Sequence, residues 1–417
     1  MGRAFAVAML IATCTSNART QTRDSIRDAA TPALSTALSY SGEVVGDVAG
    51  GLRRGATYAG AASAQLTVLL RRIVGWSGLQ LFVFALDTHG GAPSDLAGDV
   101  QGVSNLQAPA RLQLEEAWLQ QNSFGNRLSV LAEKYDLNSE FYRLQSGGLF
   151  VNSSFGIGPE FAQSGTAGPS IFPSTSVGAR VAYKPTPNVV WRTTVLDGVP
   201  FDRAHASARL FAPGDGALLV TEVAILERPD SAGMNHDPRF LVGRGLTRPY
   251  TGKLAIGAWY YTALFPDLVD TMTSGSAVEH RGSGGAYVIA DRTVWSANHG
   301  GPASLSTFAQ LGIGDSRVDR IDSYVGGGLT FTAPLASRPH DELGLAAAWA
   351  RDGSHYERMQ LAVGASTSSE ATIELTYLAP LASWLAVQPD VQYVVHPGNA
   401  PTARYALVPG LRIALSH

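Results

Sequence analysis

Polar side chains recur at every second position in several segments of the sequence. In residues 385–395, Gln388, Asp390 and Gln392 alternate with apolar residues. The full set of candidate site residues is Arg180, Arg192, Glu133, Trp259, Tyr261, Glu374, Gln388, Asp390, Gln392 and Arg412. Their hydrogen-bonding groups and aromatic faces could bind a polar solute weakly. The alternative is that many of them form interior salt bridges that only stabilise the fold.

Catalytic motifs are absent from the sequence. It has no complete Gly-x-Ser-x-Gly or His-Glu-x-x-His motif, and Gly252-Lys253 precedes leucine instead of the Ser or Thr of a phosphate-binding loop. We therefore expect no enzyme, no metal site and no resident cofactor. The competing enzyme hypothesis is a membrane-embedded hydrolase. It needs a nucleophile beside a base, and no pattern in the sequence indicates such a pair.

The composition favours a membrane protein that does not span the bilayer with helices. Only 16% of the residues are charged, compared with about 25% in soluble domains. Yet no segment reaches the ~18 uninterrupted apolar residues of a spanning helix. The formal net charge of −3 also argues against nucleic acid as a partner.

The N-terminus has the pattern of a secretory signal peptide. Arg3 precedes the apolar run 4–12, and small residues follow, so residues 1–18 are the predicted signal peptide. Residues 19–35 are then expected to form an N-terminal periplasmic segment. Removal of the signal would also remove Cys14, the only cysteine, and with it any disulfide or thiolate chemistry.

Alternation of apolar with polar or small residues dominates the rest of the chain. About sixteen segments of roughly ten residues show this period between residues 36 and 416, which predicts a transmembrane antiparallel β-barrel of about 16 strands. Strands that span lipid must pair and close, because hydrocarbon cannot satisfy free backbone groups. The best helix candidates are residues 66–74 and 114–121. A soluble β-sandwich or β-helix is the alternative fold, but it would not need polar inward faces.

One long segment, residues 136–175, lacks the alternation. It is rich in Gly, Ser, Asn, Pro and Phe, and loops of this length are uncommon unless they are functional. Its five phenylalanines need burial, so we expect the segment to fold into the barrel and narrow the pore. The alternative is an ordinary surface loop.

Several stretches resemble one protein family. They are "LSYSGEVVGDVAGGLRRGATYAG" (38–60), "GDVQGVSNLQAP" (98–109), "YDLNSEF" (135–141), "LFVNSSFGIGPEFAQSG" with "GPSIFP" (149–173) and "WLAVQPDVQYVVHPG" (384–398). In this order they resemble the carbohydrate-selective porin (OprB) family of Gram-negative outer membranes. The resemblance implies a sixteen-stranded barrel over residues 36–417 that lets sugars diffuse across the outer membrane. Barrels of this kind usually end in an aromatic residue, so His417 predicts weaker membrane insertion.

Passive uptake of sugars is the leading functional hypothesis. A general diffusion porin would differ from it only in selectivity, and a barrel that serves polysaccharide export is a further alternative. The expected partners are sugars in transit and outer-membrane lipid, and a homotrimer is one candidate assembly.

Overall fold

The structure is a computed structural model. It describes residues 33–200, 211–212, 214–228, 250–271, 273, 275–297, 301–362, 364 and 367–416. The predicted signal peptide, residues 19–32 of the predicted periplasmic segment and His417 lie outside the described residues. Glu133 is described through its backbone only.

Antiparallel strands make up most of the described chain. Their bounds are β1 Leu34–Asp47, β2 Ala49–Gly50, β3 Gly55–Leu69, β4 Leu79–Gly90, β5 Arg111–Ser123, β6 Leu128–Tyr135, β7 Ser176–Thr186, β8 Val189–Asp197, β9 Ala217–Glu227, β10 Gly252–Thr271, β11 Ala277–Ser296, β12 Ser304–Ile313, β13 Ile321–Thr332, β14 Glu342–Asp352, β15 Ser369–Ala382, β16 Leu385–Val395 and β17 Tyr405–Ser416. The two-residue strand β2 only adds to the edge of β17. Within the described residues, sixteen long strands therefore form the wall.

Helices are few and short. They are α1 Arg71–Val74, α2 Ser94–Ala97, α3 Pro159–Ala162 and α4 Ser354–Ala362, with 3₁₀ turns at Leu137–Ser139, Gly147–Leu149, Ser153–Phe155 and Pro397–Asn399. None of the helices in the described part of the chain is long and apolar enough to span a membrane.

The sheet closes on itself. Strand β1 pairs with β3 on one side and with the last strand, β17, on the other; Ser39 lies opposite both Ser63 and Ser416. The other long strands pair antiparallel with their neighbours in sequence. Within the described residues, closure pairs both edges of the sheet, so their backbone groups do not face lipid, which could not solvate them. The predicted antiparallel barrel of about 16 strands is confirmed.

The two faces of the wall differ as a lipid-spanning barrel requires. In β10, Leu254 and Ile256 are about half exposed on the outside, whereas Lys253, Ala255 and Trp259 are buried on the inside. Tyr183, Trp191 and Tyr393 are also exposed on the outer face, where aromatic side chains suit the membrane interface.

Both helix predictions were wrong in their main part. Residues 66–69 belong to β3, and only Arg71–Val74 are helical; residues 114–121 lie inside β5. In β5 the register shifts opposite Phe84 and Ala85, so Glu115 is an extra residue and both it and Glu116 are buried. Such a β-bulge turns two consecutive side chains to one face and breaks the period of two. The broken period resembled a helix in the sequence.

Two loops fold into the barrel. We call them inner loop 1 (residues 91–110, between β4 and β5) and inner loop 2 (residues 136–175, between β6 and β7). Inner loop 2 contributes four fully buried phenylalanines to the main apolar cluster, which are Phe141, Phe150, Phe155 and Phe161. Wall residues such as Trp259, Tyr287 and Phe308 pack in the same cluster. The prediction of a long inward-folding loop is confirmed.

The inner loops begin at the same end of the barrel. The opposite end carries short turns, such as residues 124–127 and 383–384. In outer-membrane barrels the short turns face the periplasm and the long loops face the outside. For the outer-membrane barrel that the resemblance implies, inner loops 1 and 2 are expected to enter from the extracellular end.

Candidate functional site

A cleft of about 280 Å³ lies between the two inner loops. Inner loop 1 lines it with Val100, Gln101, Gly102, Ser104, Asn105 and Gln107. Inner loop 2 lines it with Asn138, Arg143, Leu144, Gly147, Gly148, Phe150, Ser153, Gly156, Ile157, Pro159, Ala162, Gln163, Ile171, Phe172 and Pro173. Among the described residues that line this cleft, Arg143 is the only one with an ionisable side chain.

Amide side chains dominate the polar part of the lining. Gln101, Asn105, Gln107, Asn138 and Gln163 each offer both donors and an acceptor. Gln163 also reaches across the cleft, and its Nε2 donates to the carbonyl oxygen of Val100 at 2.7 Å. The apolar remainder of the lining, with the partly exposed ring of Phe172, can contact the C–H face of a ring-shaped solute. This combination suits a neutral solute with many hydroxyl groups.

The two inner loops are joined by backbone hydrogen bonds. The N–H of Asn105 donates to the carbonyl of Val151, and the N–H of Ser153 donates to the carbonyl of Gly102, both at 2.8 Å. Asn105 Nδ2 donates further to the carbonyl of Phe150 at 3.1 Å. The relative position of the two cleft walls is therefore fixed close to residues 102–105 and 150–153.

Strands β15 and β16 hold inner loop 2 through three of the predicted site residues. Glu374 accepts hydrogen bonds from the N–H groups of Val151 (2.7 Å) and Asn152 (2.9 Å). Gln388 donates to the carbonyl of Leu149 at 2.7 Å. Gln392 accepts from the Asn152 side chain at 3.0 Å and donates to the carbonyl of Val103, in inner loop 1, at 2.8 Å.

Asp390 and Arg412 complete this side of the barrel. Asp390 accepts from the side chain of Gln392 at 3.0 Å. Arg412 donates through Nε to Glu43 and through Nη2 to the side-chain oxygen of Asn105, each at 2.8 Å. Arg412 is thereby one residue removed from the cleft, since Asn105 lines it.

The opposite side of the barrel carries the predicted arginines. Arg180 donates to Glu140, in inner loop 2, at 3.0 Å. Arg192 lies 3.4 Å from Glu222, and the other carboxylate oxygen of Glu222 accepts from the backbone N–H of Tyr142 at 2.9 Å. Both arginines therefore neutralise carboxylates that belong to, or hold, inner loop 2.

The two predicted aromatic residues pack against the tip of inner loop 2. The ring of Trp259 stacks on Phe161 with centroids 4.3 Å apart and an interplanar angle of 14°. The hydroxyl of Tyr261 lies 3.4 Å from both oxygens of Ser164. The remaining candidate, Glu133, lies in β6 opposite Trp118 of β5, and its side chain lies outside the described part of the chain.

The nine described candidates all lie on the inner face, and each is less than a tenth exposed. They hold the inner loops and do not line the cleft, so direct contact of these side chains with a sugar stays a prediction. The cleft-lining residues were missed because they come from loops, where no periodicity marks the direction of a side chain. The available signal was the run of Gly, Asn and Gln in residues 98–109.

A buried aspartate connects the tip of inner loop 2 to the end of the barrel at which the inner loops begin. Asp319, in the turn between β12 and β13, accepts from the N–H of Gly165 (3.2 Å) and from the hydroxyl of Ser283 (2.7 Å). Burial raises the pKa of Asp319 to about 6, although both hydrogen bonds favour the charged form. The carboxyl group of Asp319 is therefore expected to take up a proton in mildly acidic medium.

Comparison with known sequences identifies the family. The family model described as "Carbohydrate-selective porin, OprB family" matches residues 53–416. Porin B of Pseudomonas aeruginosa is 28% identical over 183 residues, which cover 39% of this chain and 40% of Porin B. The aligned region thus spans less than half of the length of that relative.

Comparison with solved structures supports the same fold. The high-pH structure of Pseudomonas putida OprB superposes with a TM-score of 0.79 at 22% identity, covering 95% of this chain and 96% of that one. The outer membrane channel DcaP of Acinetobacter baumannii gives a TM-score of 0.53 at 10% identity, with 92% and 97% covered. At these identities the likeness is one of fold.

Proposed function

Since this chain belongs to the OprB family of carbohydrate-selective porins, we propose that it is an outer-membrane channel through which sugars diffuse passively into the periplasm. The pathway is the cleft between inner loops 1 and 2. The barrel lies in the outer membrane of a Gram-negative bacterium, and its apolar outer face meets lipid. OprB is a family of channels, and we propose no catalytic activity for this chain.

The observation that carries the proposal is that the described lining of the cleft is rich in amides and carries few charges. Its lining has five amide side chains and a single ionisable one, Arg143. Amides can exchange hydrogen bonds with sugar hydroxyls in either direction, so they replace part of the water shell of the solute. No single contact is strong, which matters because a channel must release its solute as readily as it admits it.

Transport measurements into liposomes would test this function. Swelling rates are compared for a monosaccharide, a disaccharide and a zwitterionic amino acid close in mass to the monosaccharide. We expect the monosaccharide to enter faster than the amino acid, because the described lining offers no carboxylate that would compensate the desolvated ammonium group. Swelling rates that depend only on the size of the solute would indicate a general diffusion porin. Absence of swelling with correctly folded barrels would refute the channel.

We further propose that copies of this chain associate, with a trimer as the expected assembly. The outer faces of β3 and β4 carry a polar pair that lipid accommodates poorly: His89 Nδ1 lies 2.8 Å from Asp87 Oδ2, and the ring of Tyr58 stacks beside His89. Charged side chains on a lipid-facing wall are destabilising, so contact with another subunit would be favourable there. Chemical cross-linking in native membranes tests the assembly.

A further inference from the structure

Two buried glutamates lie four residues apart on strand β15. Glu370 and Glu374 are both fully buried on the inner face of the barrel. The rise of a β-strand places their Cα atoms about 13 Å apart along β15. The two side chains therefore enter the lumen from the same strand, at two different heights along the barrel.

Glu370 binds inner loop 1 by its backbone. One carboxylate oxygen accepts from the N–H of Val100 at 2.8 Å, and the other accepts from the N–H of Gln101 at 3.0 Å. The first oxygen also accepts from the N–H of Gly398, in the turn between β16 and β17, at 2.6 Å. A carboxylate that receives several N–H donors makes charge-assisted hydrogen bonds, which are stronger than neutral ones.

Glu374 binds inner loop 2 in the same manner. Its two oxygens accept from the consecutive N–H groups of Val151 and Asn152 at 2.7 and 2.9 Å. Each glutamate thus holds a pair of consecutive backbone amides, and each pair belongs to a different wall of the cleft. Val100 and Gln101 line the cleft themselves, whereas Val151 and Asn152 lie between the lining residues Phe150 and Ser153.

We infer that Glu370 and Glu374 are positioning residues that set the width of the cleft, each by fixing one of its two walls. The inference rests on the proposed function, because it takes the cleft as the pathway of the solute. Neither glutamate lines the cleft, so any effect on solute passage must act through the loops.

Replacement by glutamine tests the inference with little change in volume. The amide oxygen of Gln can still accept one N–H, but its NH₂ group faces the second N–H as donor against donor. Each of the variants Glu370→Gln and Glu374→Gln therefore loses at least one charge-assisted hydrogen bond. Loss of such a bond is expected to raise the open population of the held loop by about tenfold.

Asp197→Asn is the matched control. Asp197 is buried at the end of β8, and its carboxylate also accepts from backbone N–H groups, those of Val199 at 3.3 Å and Phe211 at 2.5 Å. These two groups belong to the segment between β8 and β9, so the substitution removes the same kind of contact at a different loop. The control should leave both inner loops in place.

The first readout is hydrogen–deuterium exchange of the full-length protein in detergent or lipid. We expect Glu370→Gln to accelerate exchange about tenfold in residues 96–104, with a smaller effect in residues 148–154, and Glu374→Gln to give the reverse pattern. If a Gln variant does not fold, Glu370→Asp and Glu374→Asp, which keep the charge but shorten the side chain, give the same comparison.

The second readout is the ratio of disaccharide to monosaccharide swelling rates. It should rise about twofold or more in both Gln variants and stay constant in Asp197→Asn, because a loosened wall admits larger solutes. Folded variants with unchanged exchange and an unchanged ratio would overturn the inference. If the wild type admits no sugar but the exchange pattern appears, the loop-holding role stands and the proposed pathway fails.

Discussion

Neutralising Arg143 should abolish the charge preference of the channel. Arg143 is the only residue with an ionisable side chain among the described residues that line the cleft, so it is the main source of a fixed charge that a permeating ion meets at contact distance. In Arg143→Gln the side chain stays polar and similar in length, while the positive charge is lost.

The size of the effect follows from Coulomb's law. A unit charge that acts on a monovalent ion at about 5 Å in water contributes about 0.8 kcal/mol, so an anion and a cation differ by about 1.7 kcal/mol. Screening at physiological ionic strength, with a Debye length of about 8 Å, reduces this difference to about 0.9 kcal/mol. We therefore expect chloride to permeate about five times as readily as potassium in the wild type.

The reversal potential across a tenfold KCl gradient measures this ratio in planar bilayers. The wild type should give roughly half of the ~59 mV that an ideally anion-selective channel would give, and Arg143→Gln should give a value near zero. Arg127→Gln is the control, since Arg127 lies in the periplasmic turn 124–127 and is exposed. Cation selectivity in the wild type, or an unchanged potential in Arg143→Gln, would refute the assignment of the cleft as the ion pathway.

Two further predictions concern the tip of inner loop 2. Phe161→Ala should lower the free energy of unfolding by about 3–5 kcal/mol, because Phe161 is fully buried against Trp259; urea unfolding in lipid measures it, and Phe124→Ala, at a residue that is 75% exposed, should stay within about 0.5 kcal/mol of the wild type. Asp319 should make the protein more stable at pH 5 than at pH 7, because its folded pKa of about 6 lies above the ordinary 3.8. The folded state then binds the proton of Asp319 more tightly than the unfolded state does. The resulting gain in folding stability is lost as pH rises through 6. Asp319→Asn should remove the contribution of Asp319 to the difference in melting temperature between pH 5 and pH 7. If the wild type and the variant show the same difference, burial does not raise the pKa of Asp319 as described.

The sequence predicted the wall well because a strand has only two faces. Once Val391 and Tyr393 are assigned to the lipid side, alternation places Gln388, Asp390 and Gln392 on the inner side whatever the rest of the fold does. Glu115 and Glu116 show where this reasoning fails, since a bulge is a local register choice that pairing with β4 decides. Periodicity carries no information about it.

The cleft could not be predicted in the same way. Asn138 and Gln163 line it because inner loop 2 folds back on itself inside the barrel, and that path is fixed by contacts with strands far away in sequence, such as Glu374 with Val151. Short-range turn preferences do not determine such a path. The burial requirement of the phenylalanines could predict only that the segment turns inward.

The many interior charges and the few charges in the cleft lining have one physical cause. A long loop without regular structure carries backbone N–H groups that have no ladder partner, and inside a barrel they need acceptors other than bulk water. Wall carboxylates supply them: Glu222 accepts from Tyr142, Asp291 from Ser146, and Glu374 from Val151 and Asn152. Because these charges are directed at loop backbone and are partly neutralised by residues such as Arg192, little of their field reaches the solute. A barrel rich in buried charge can therefore present a nearly uncharged passage, which is the condition for favouring a sugar over an ion of similar size.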